Sequence, residues 1–517
     1  VAFNSATMIN DVTNAPSGGV IIIDEAQKGV PDRDDVVFYR VPVRKLMKES
    51  GAKGKLKDYL TNMVYVGVVS YLIGIELDKI DRALMHHFKN RRKLVDSNMK
   101  IINASYVWSA ENLTKQDPYF VEPMNETEGK ILITGNEAAG LGALFGGVQV
   151  VPWYPITPST SVVDTINIYK KTMRDADSIA VIQSEDELAA IGMVLGAGWA
   201  GARAMTATSG AGVSLMTEFA GMAYFAEIPS VIWNVQRVGP STGLPTRSCQ
   251  GDVTFCYYLG HGDTKNVLLF PKDPAECFEF GTTALNLAEE LQTLVLVLSD
   301  LDVGMNYWMS DPFEYPTEPL KRGKVLDAEQ IAELKGTWGR YNDTDGDGIP
   351  YRTLPGNKHP QAAYFTRGTG HDEFARYSEA PDVWLRNMTR LGKKFETART
   401  MVPAPVIEDN ADAKIGLIFF GSTWPAIEEG RDLLKAQGIE TAAMRIRALP
   451  LTSDVAEFVS RYERCYVIEM NRDGQMHNIL RSELPEQVLK LHSIAHLDGQ
   501  PFTGPFVLQT VLEGEKA

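Results

Sequence analysis

The chain has 517 residues, enough for roughly two to four domains with packed cores. It carries 51 Lys and Arg against 66 Asp and Glu, a net charge of −15. That balance argues against nucleic acid and anionic membrane as partners and suits a cytoplasmic protein. The four cysteines, Cys249, Cys256, Cys277 and Cys465, form no CxxC. The run needed for a structural zinc or an iron–sulfur cluster is therefore missing, and reduced, packed thiols are expected.

Residues 1–112 read as part of an α/β unit. GGVIIIDEA (Gly18 to Ala26) is a continuous apolar run of the kind a buried parallel strand shows, and VVFYRVPV follows as a second strand. The apolar stretch Met63 to Ile75 is too short to span a bilayer and suits a buried helix. The chain opens on Val1 inside this unit, so further residues are expected upstream. Residues 113–128, polar and with two prolines, read as a linker.

Residues 129–310 alternate short apolar strands with helices, which predicts a parallel sheet covered on both faces. ILITG, VQVVPW, AMTAT, PSVIWNVQ, NVLLF and TLVLVLSD are the strands; ELAAIGMVLGAGWAGAR (Glu187 to Arg203) is a helix. Residues 311–405 read as an irregular connector rich in Pro, Gly, Asp and Arg. A last α/β domain covers 406–517, with strands KIGLIFFGS and RCYVIEMN.

Functional loops in such folds gather at the carboxyl ends of the strands. YPITPST (Tyr154 to Thr160), TSGAG (Thr208 to Gly212) and NVQRVGPSTGLPT (Asn234 to Thr246) all take that place and should converge. Two of them pair rigid Pro/Gly turns with hydroxyls, and one adds Arg237, whose planar fork of donors matches a carboxylate. In QSEDELAAIG, Glu185, Asp186 and Glu187 begin a helix, where acids complement the dipole; one of them is free to enter the site. GNEAAGLGALFGG (Gly135 to Gly147) lacks dinucleotide spacing and the P-loop Lys, so it reads as small residues for close helix packing. DTDGDGI places Asp343, Asp345 and Asp347 as metal-ligand candidates, although Leu354 stands where a calcium loop needs its closing glutamate. His371 in TRGTGHDE reads as a hydrogen-bonded structural histidine.

Together, YPITPST, the run Ser184 to Gly212, NVQRVGPSTGLPT and DGDGIPYRTLPG resemble the α subunit of 2-oxoacid:ferredoxin oxidoreductases, most of all the 2-oxoglutarate type. The likeness covers residues 130–517, with 1–112 resembling the later part of a fused γ domain. It implies a multidomain α/β fold: a transketolase-like pyrimidine module that binds thiamine, followed by a transketolase C-terminal-like domain. It also implies a thiamine diphosphate enzyme that interconverts 2-oxoglutarate, coenzyme A and oxidised ferredoxin with succinyl-CoA, carbon dioxide and reduced ferredoxin. The reductive direction, as in a reductive tricarboxylic acid cycle, is open to the family. The resemblance further implies activity only with a separate β subunit, expected to carry the diphosphate site, Mg2+ and a 4Fe-4S cluster in an (αβ)2 assembly. By the resemblance, Glu187 binds N1′ of the aminopyrimidine, with Glu185 as its rival, and Tyr154, Pro155 and Ile156 line the cofactor. Arg237 takes the substrate 1-carboxylate, Thr157 lies near the oxo group and Thr246 supplies a distal hydroxyl. The family often has TSGPG where this chain has TSGAG.

Other readings stay open. One keeps the chemistry and changes the substrate to pyruvate or another 2-oxoacid. For a distal carboxylate, Arg247, Lys265 and a β-subunit residue are equal candidates. Another reading is a non-catalytic binding subunit. A nicotinamide dehydrogenase is disfavoured by the missing GxGxxG. The role of EMNRDGQ (Glu469 to Gln475) is unassigned.

Overall fold

A computed structural model describes residues 1–49, 60–173, 176–334 and 338–516. The chain divides into two compact units, Val1–Glu128 and Gly129–Ala517. In the first, strand Val20–Asp24 pairs in parallel with Val37–Val41, in register Val20 to Val37. Helices Asn62–Ile73 and Arg92–Asn112 pack with this pair around Tyr39, Val41, Val64, Val68 and Ile101. No helix among the described residues is long and apolar enough to cross a membrane.

The second unit holds two five-stranded sheets. The first runs Ala448–Leu449, Val267–Leu269, Leu294–Asp300, Ser230–Gln236, Met205–Thr208. All neighbours in it are parallel except the pairing of Ala448–Leu449 with Val267–Leu269. A bridge from Ala204 to Val150 continues it into the parallel pair Val150–Trp153 and Ala180–Gln183.

Strand Ser230–Gln236 is buried along its whole length, and its side chains divide between two cores. Ile232 enters a core with Val213 and Ala220 that continues into Ile418, Met444 and Val467 of the second sheet. Val231, Trp233 and Val235 enter the other, with Ala138, Ala284 and Val303. A strand apolar on both faces belongs to a sheet covered on both sides, and this one is central because it pairs with Met205–Thr208 on one edge and Leu294–Asp300 on the other. In the other sheet the order is Val406–Glu408, Thr441–Ile446, Ile415–Phe420, Arg464–Glu469, Leu491–Ala495, parallel but for the first.

Two expectations need amendment. Strand Ile131–Thr134 is outside the parallel sheet and pairs antiparallel with Tyr307–Ser310. Its burial alternates and Leu132 is exposed, as in an edge ladder. The connector 311–405 also carries an 18-residue helix, Pro381–Ala398. Its buried face is Asn387, Arg390, Leu391, Lys394, Phe395 and Ala398. The spacing is helical, but two of those residues are cations, so hydropathy alone hides the stripe. Glu227, fully buried, resolves the conflict: it takes both arms of Arg390 (2.5 and 3.0 Å) and the ammonium of Lys394 (2.8 Å). Burial pushes Glu227 up, but Arg390 and Lys394 outweigh it and hold it at about 2.

GNEAAGLGALFGG forms helix Gly135–Phe145, with Thr134 and Glu137 as a reciprocal cap. It crosses helix Pro274–Leu291 so closely that a Cβ on Gly142 would lie 2.8 Å from the Phe278 carbonyl carbon. This motif is a packing seam.

Candidate active site

Strand Ser230–Gln236 ends where Arg237 begins, and only 8% of Arg237 is exposed. Its Nη1 donates to the main-chain carbonyl of Thr157 at 2.6 Å. Its Nε is buried without a partner, and no carboxylate among the described residues forms an ion pair with it. A buried cation without a counterion is costly unless a ligand supplies the charge.

Arg237 lines a cavity of about 580 Å3 together with Gly210, Pro240, Asp252, Asn471 and Gln475. Asp252 accepts from the Asn234 amide at 3.0 Å, and its backbone N–H donates to Gln236 Oε1 at 3.0 Å. Burial pushes the Asp252 carboxyl up, while the Asn234 bond and the Arg237 charge pull it back in part.

The three acids at the start of helix Glu187–Trp199 have separate fates. Asp186 is the cap, accepting from Ala189 N at 2.7 Å. Glu185 is exposed to solvent, whereas Glu187 is 6% exposed. Among the described residues no hydrogen bond or ion pair reaches the Glu187 carboxylate. It lies directly under the TSGAG turn: a Cβ on Gly212 would sit 2.8 Å from Glu187 Oε1 and would strike Thr208 Oγ1. A side chain at position 212 would thus displace Thr208 or Glu187, while Ala211 lines the cavity.

YPITP is an exposed loop carrying Tyr154, Pro155 and Thr157, with Ile156 half-buried. It is anchored from below. Asn136 Nδ2 donates to Pro158 O at 2.8 Å and to Ser161 Oγ at 2.8 Å, and Ile156 O accepts from Ser159 N at 2.9 Å. Asn136 went unremarked in the sequence. Its signal in the sequence is a single amide beside Glu137 in a helix start otherwise made of small residues. Asn136 Oδ1, Thr206 Oγ1, Ser209 Oγ and Asn234 Oδ1 are buried without partners.

Thr246 is exposed; its carbonyl accepts from Arg247 Nη1 at 2.9 Å, and it lies outside the cavity lining. Lys265 is spent elsewhere: its Nζ donates to Glu483 at 2.6 Å and lies over the rings of Tyr257 and Phe395. Thr157 and Glu187 also lie outside this cavity's lining, so Arg237 alone of the expected trio faces it.

The metal expectation at Asp343, Asp345 and Asp347 is corrected. Lys324 Nζ stands between Asp345 (2.7 Å) and Asp347 (2.9 Å), where a cation would go. Asp343 accepts from the N–H groups of Gly346 and Gly348, at 2.8 and 2.9 Å. The loop is a lysine-centred turn, and among the described residues no His, Cys, Asp or Glu cluster is placed to hold a metal. His371 is buried, stacked on Tyr341 at 3.8 Å, and burial lowers its pKa. All four cysteines are buried and unpaired.

Residues 141–329 match the family profile "pyruvate flavodoxin/ferredoxin oxidoreductase, thiamine diP-bdg", and residues 1–108 match "pyruvate ferredoxin/flavodoxin oxidoreductase". The chain is 30% identical to 2-oxoacid:ferredoxin oxidoreductase 2 subunit alpha of Aeropyrum pernix, over 89% of this chain and 73% of the relative. It is 32% identical to 2-oxoglutarate synthase subunit KorA of Methanothermobacter thermautotrophicus, over 68% of this chain and 90% of the relative. Among solved structures, 2-oxoglutarate:ferredoxin oxidoreductase of Magnetococcus marinus, with 2-oxoglutarate, coenzyme A and succinyl-CoA bound, superposes with a TM-score of 0.87. That match has 29% identity and covers 99% of this chain and 87% of the other.

Proposed function

This chain belongs to the 2-oxoacid:ferredoxin oxidoreductase α-subunit family, and we propose that its substrate is 2-oxoglutarate, interconverted with succinyl-CoA and carbon dioxide. The observation that carries this reading is Arg237, a buried guanidinium at the end of a central strand that forms no ion pair among the described residues, although its charge is felt by Asp252 in the same cavity. Its fork suits the 1-carboxylate of a 2-oxoacid, and the Thr157 carbonyl fixes its orientation. The 2-oxoglutarate relatives support the choice of acid.

Glu187 is the second element. A buried, unpartnered carboxylate under a glycine turn fits a heteroaromatic nitrogen that shares a proton with it, as the thiamine aminopyrimidine would. Thiamine diphosphate, when bound, supplies the carbanion chemistry that makes or breaks the bond between C1 and C2 of the acid. Glu187 would hold N1′ of the ring and tune its basicity. Thr157 and Thr246 would place hydroxyls toward the substrate, with Tyr154, Pro155 and Ile156 along the cofactor. The diphosphate, Mg2+ and a 4Fe-4S cluster are assigned to a β subunit in an (αβ)2 assembly, which passes electrons to ferredoxin.

The test is coenzyme A-dependent viologen reduction by this chain co-purified with its native partner, over a panel of 2-oxoacids. Turnover of 2-oxoglutarate that requires thiamine diphosphate and is absent from this chain alone supports the reading. Turnover of pyruvate in its place overturns the choice of acid, and turnover of none overturns the catalytic reading.

A further inference from the structure

The segment Glu469 to Gln475 has no part in the chemistry above, yet it is densely hydrogen-bonded beside the cavity. Glu469 is fully buried and accepts from Asn471 Nδ2 (2.6 Å), Met476 N (2.9 Å) and His477 N (3.0 Å). Removing a carboxylate from water is expensive, and three donors offset that cost by holding the loop in one shape.

The shaped loop grips a segment that lies more than 200 residues upstream. Gln250 N donates to Met470 O at 2.7 Å, and Gln250 Oε1 accepts from Met470 N at 3.0 Å. Asn471 Nδ2 donates to Gln250 O at 3.0 Å. Gln475 Nε2 donates to Gly251 O at 2.6 Å, and Gln475 Oε1 accepts from Thr254 N at 2.9 Å. The gripped segment carries Asp252, which is bonded in turn to Asn234 and Gln236. Gln236 is the chain neighbour of Arg237, and its own amide is tied down to Ser299 O at 3.2 Å. Hydrogen bonds thus lead from the last domain to the side chain of Gln236, and the chain itself carries the link one residue further, to Arg237.

We propose that Gln475 and Asn471 are positioning residues for Arg237, holding the Gln250–Thr254 strap against strand Ser230–Gln236 and so setting where the guanidinium meets the 2-oxoacid. This rests on the carboxylate-binding reading of Arg237. A mere adhesive between two domains would not need to converge on the residues that flank Arg237. Nor would it need to place Asn471 and Gln475 in the wall of the same cavity. A shift of the binding group by a fraction of an ångström is felt in the reacting geometry.

The test is a double-mutant cycle in the enzyme assembled with its partner subunit. Gln475→Ala is expected to raise the KM for the 2-oxoacid on the order of tenfold while the KM for coenzyme A stays unchanged. In an Arg237→Ala background, the same change should add nothing further. Gln475→Asn keeps the amide donor and acceptor on a shorter stem; it should fall between wild type and Gln475→Ala, and it serves should the alanine variant fail to fold. Additive losses in the two backgrounds, or equal losses for both substrates, overturn the positioning role while leaving Arg237 as read. An Arg237→Ala enzyme with a wild-type KM overturns the carboxylate reading, and this proposal with it.

Discussion

Arg237 Nη1 and the carbonyl oxygen of Thr157 are 2.6 Å apart, although 80 residues separate them in the chain. The bond ties the loop after a central strand to the YPITP loop, so the two turns hold one another in place. It uses one donor of the guanidinium and leaves the Nε unpartnered.

Arg237→Lys should therefore be a severe change. Lysine keeps the charge but has no fork to share between the Thr157 carbonyl and a substrate carboxylate. The KM for the 2-oxoacid should rise by the equivalent of about 1.5–3 kcal/mol, the order of one charge-assisted hydrogen bond lost. Steady-state kinetics on the assembled enzyme measures this, and an unchanged KM removes Arg237 from the substrate site.

Glu187 and Glu185 make a matched pair for a second experiment. Glu187→Gln should slow C2 proton exchange of bound thiamine on the order of a hundredfold or more, as expected when an acid–base partner is lost. Glu185→Gln, at an exposed position, should exchange at the wild-type rate. The reverse pattern would transfer the role to Glu185.

Asp300 offers a test through pH. It caps helix Leu301–Met305 and accepts from Ser422 Oγ at 2.5 Å. Burial, aided by the charge of Asp302, raises it from 3.8 to about 6. The folded state thus holds this proton more tightly than the unfolded chain. The resulting stability is complete below the unfolded value and is lost as pH rises through about 6. Asp300→Asn imitates the neutral form, so the variant should gain on wild type between pH 4 and 7, by about 3 kcal/mol at most. Thermal unfolding across that range measures it, and a constant difference between the two proteins contradicts it.

Lys324 stands in the place of a cation between Asp345 and Asp347. The wild-type melting temperature should be indifferent to Ca2+ and to chelators at this loop. Lys324→Met should cost under about 1 kcal/mol, because the pairs are partly exposed, and should make the melting temperature rise with Ca2+. A wild-type protein that Ca2+ stabilises to the same degree would restore the metal reading.

Much of the fold was legible because buried strands announce themselves. VIIID, SVIWNVQ, LVLVLSD and IGLIFF are apolar runs, and each became a strand with a buried interior. Helix Pro381–Ala398 was not legible, because Arg390 and Lys394 occupy its buried face and their counterion, Glu227, is more than 160 residues away. The acidic turn at Asp343 misled for the same reason: its cation, Lys324, is a neighbour in space only.

The amino-acid sequence by itself determined the family, the order of the α/β modules and the loops in which Thr157, Glu187 and Arg237 would be found. Local patterns suffice for this, since apolar runs and Pro/Gly turns act over a few residues. Only the tertiary structure decided which acid is buried, which cations are already spent and which carboxylates are satisfied. Those outcomes depend on desolvation and on partners brought together from distant parts of the chain, and neither is written in any short stretch of it.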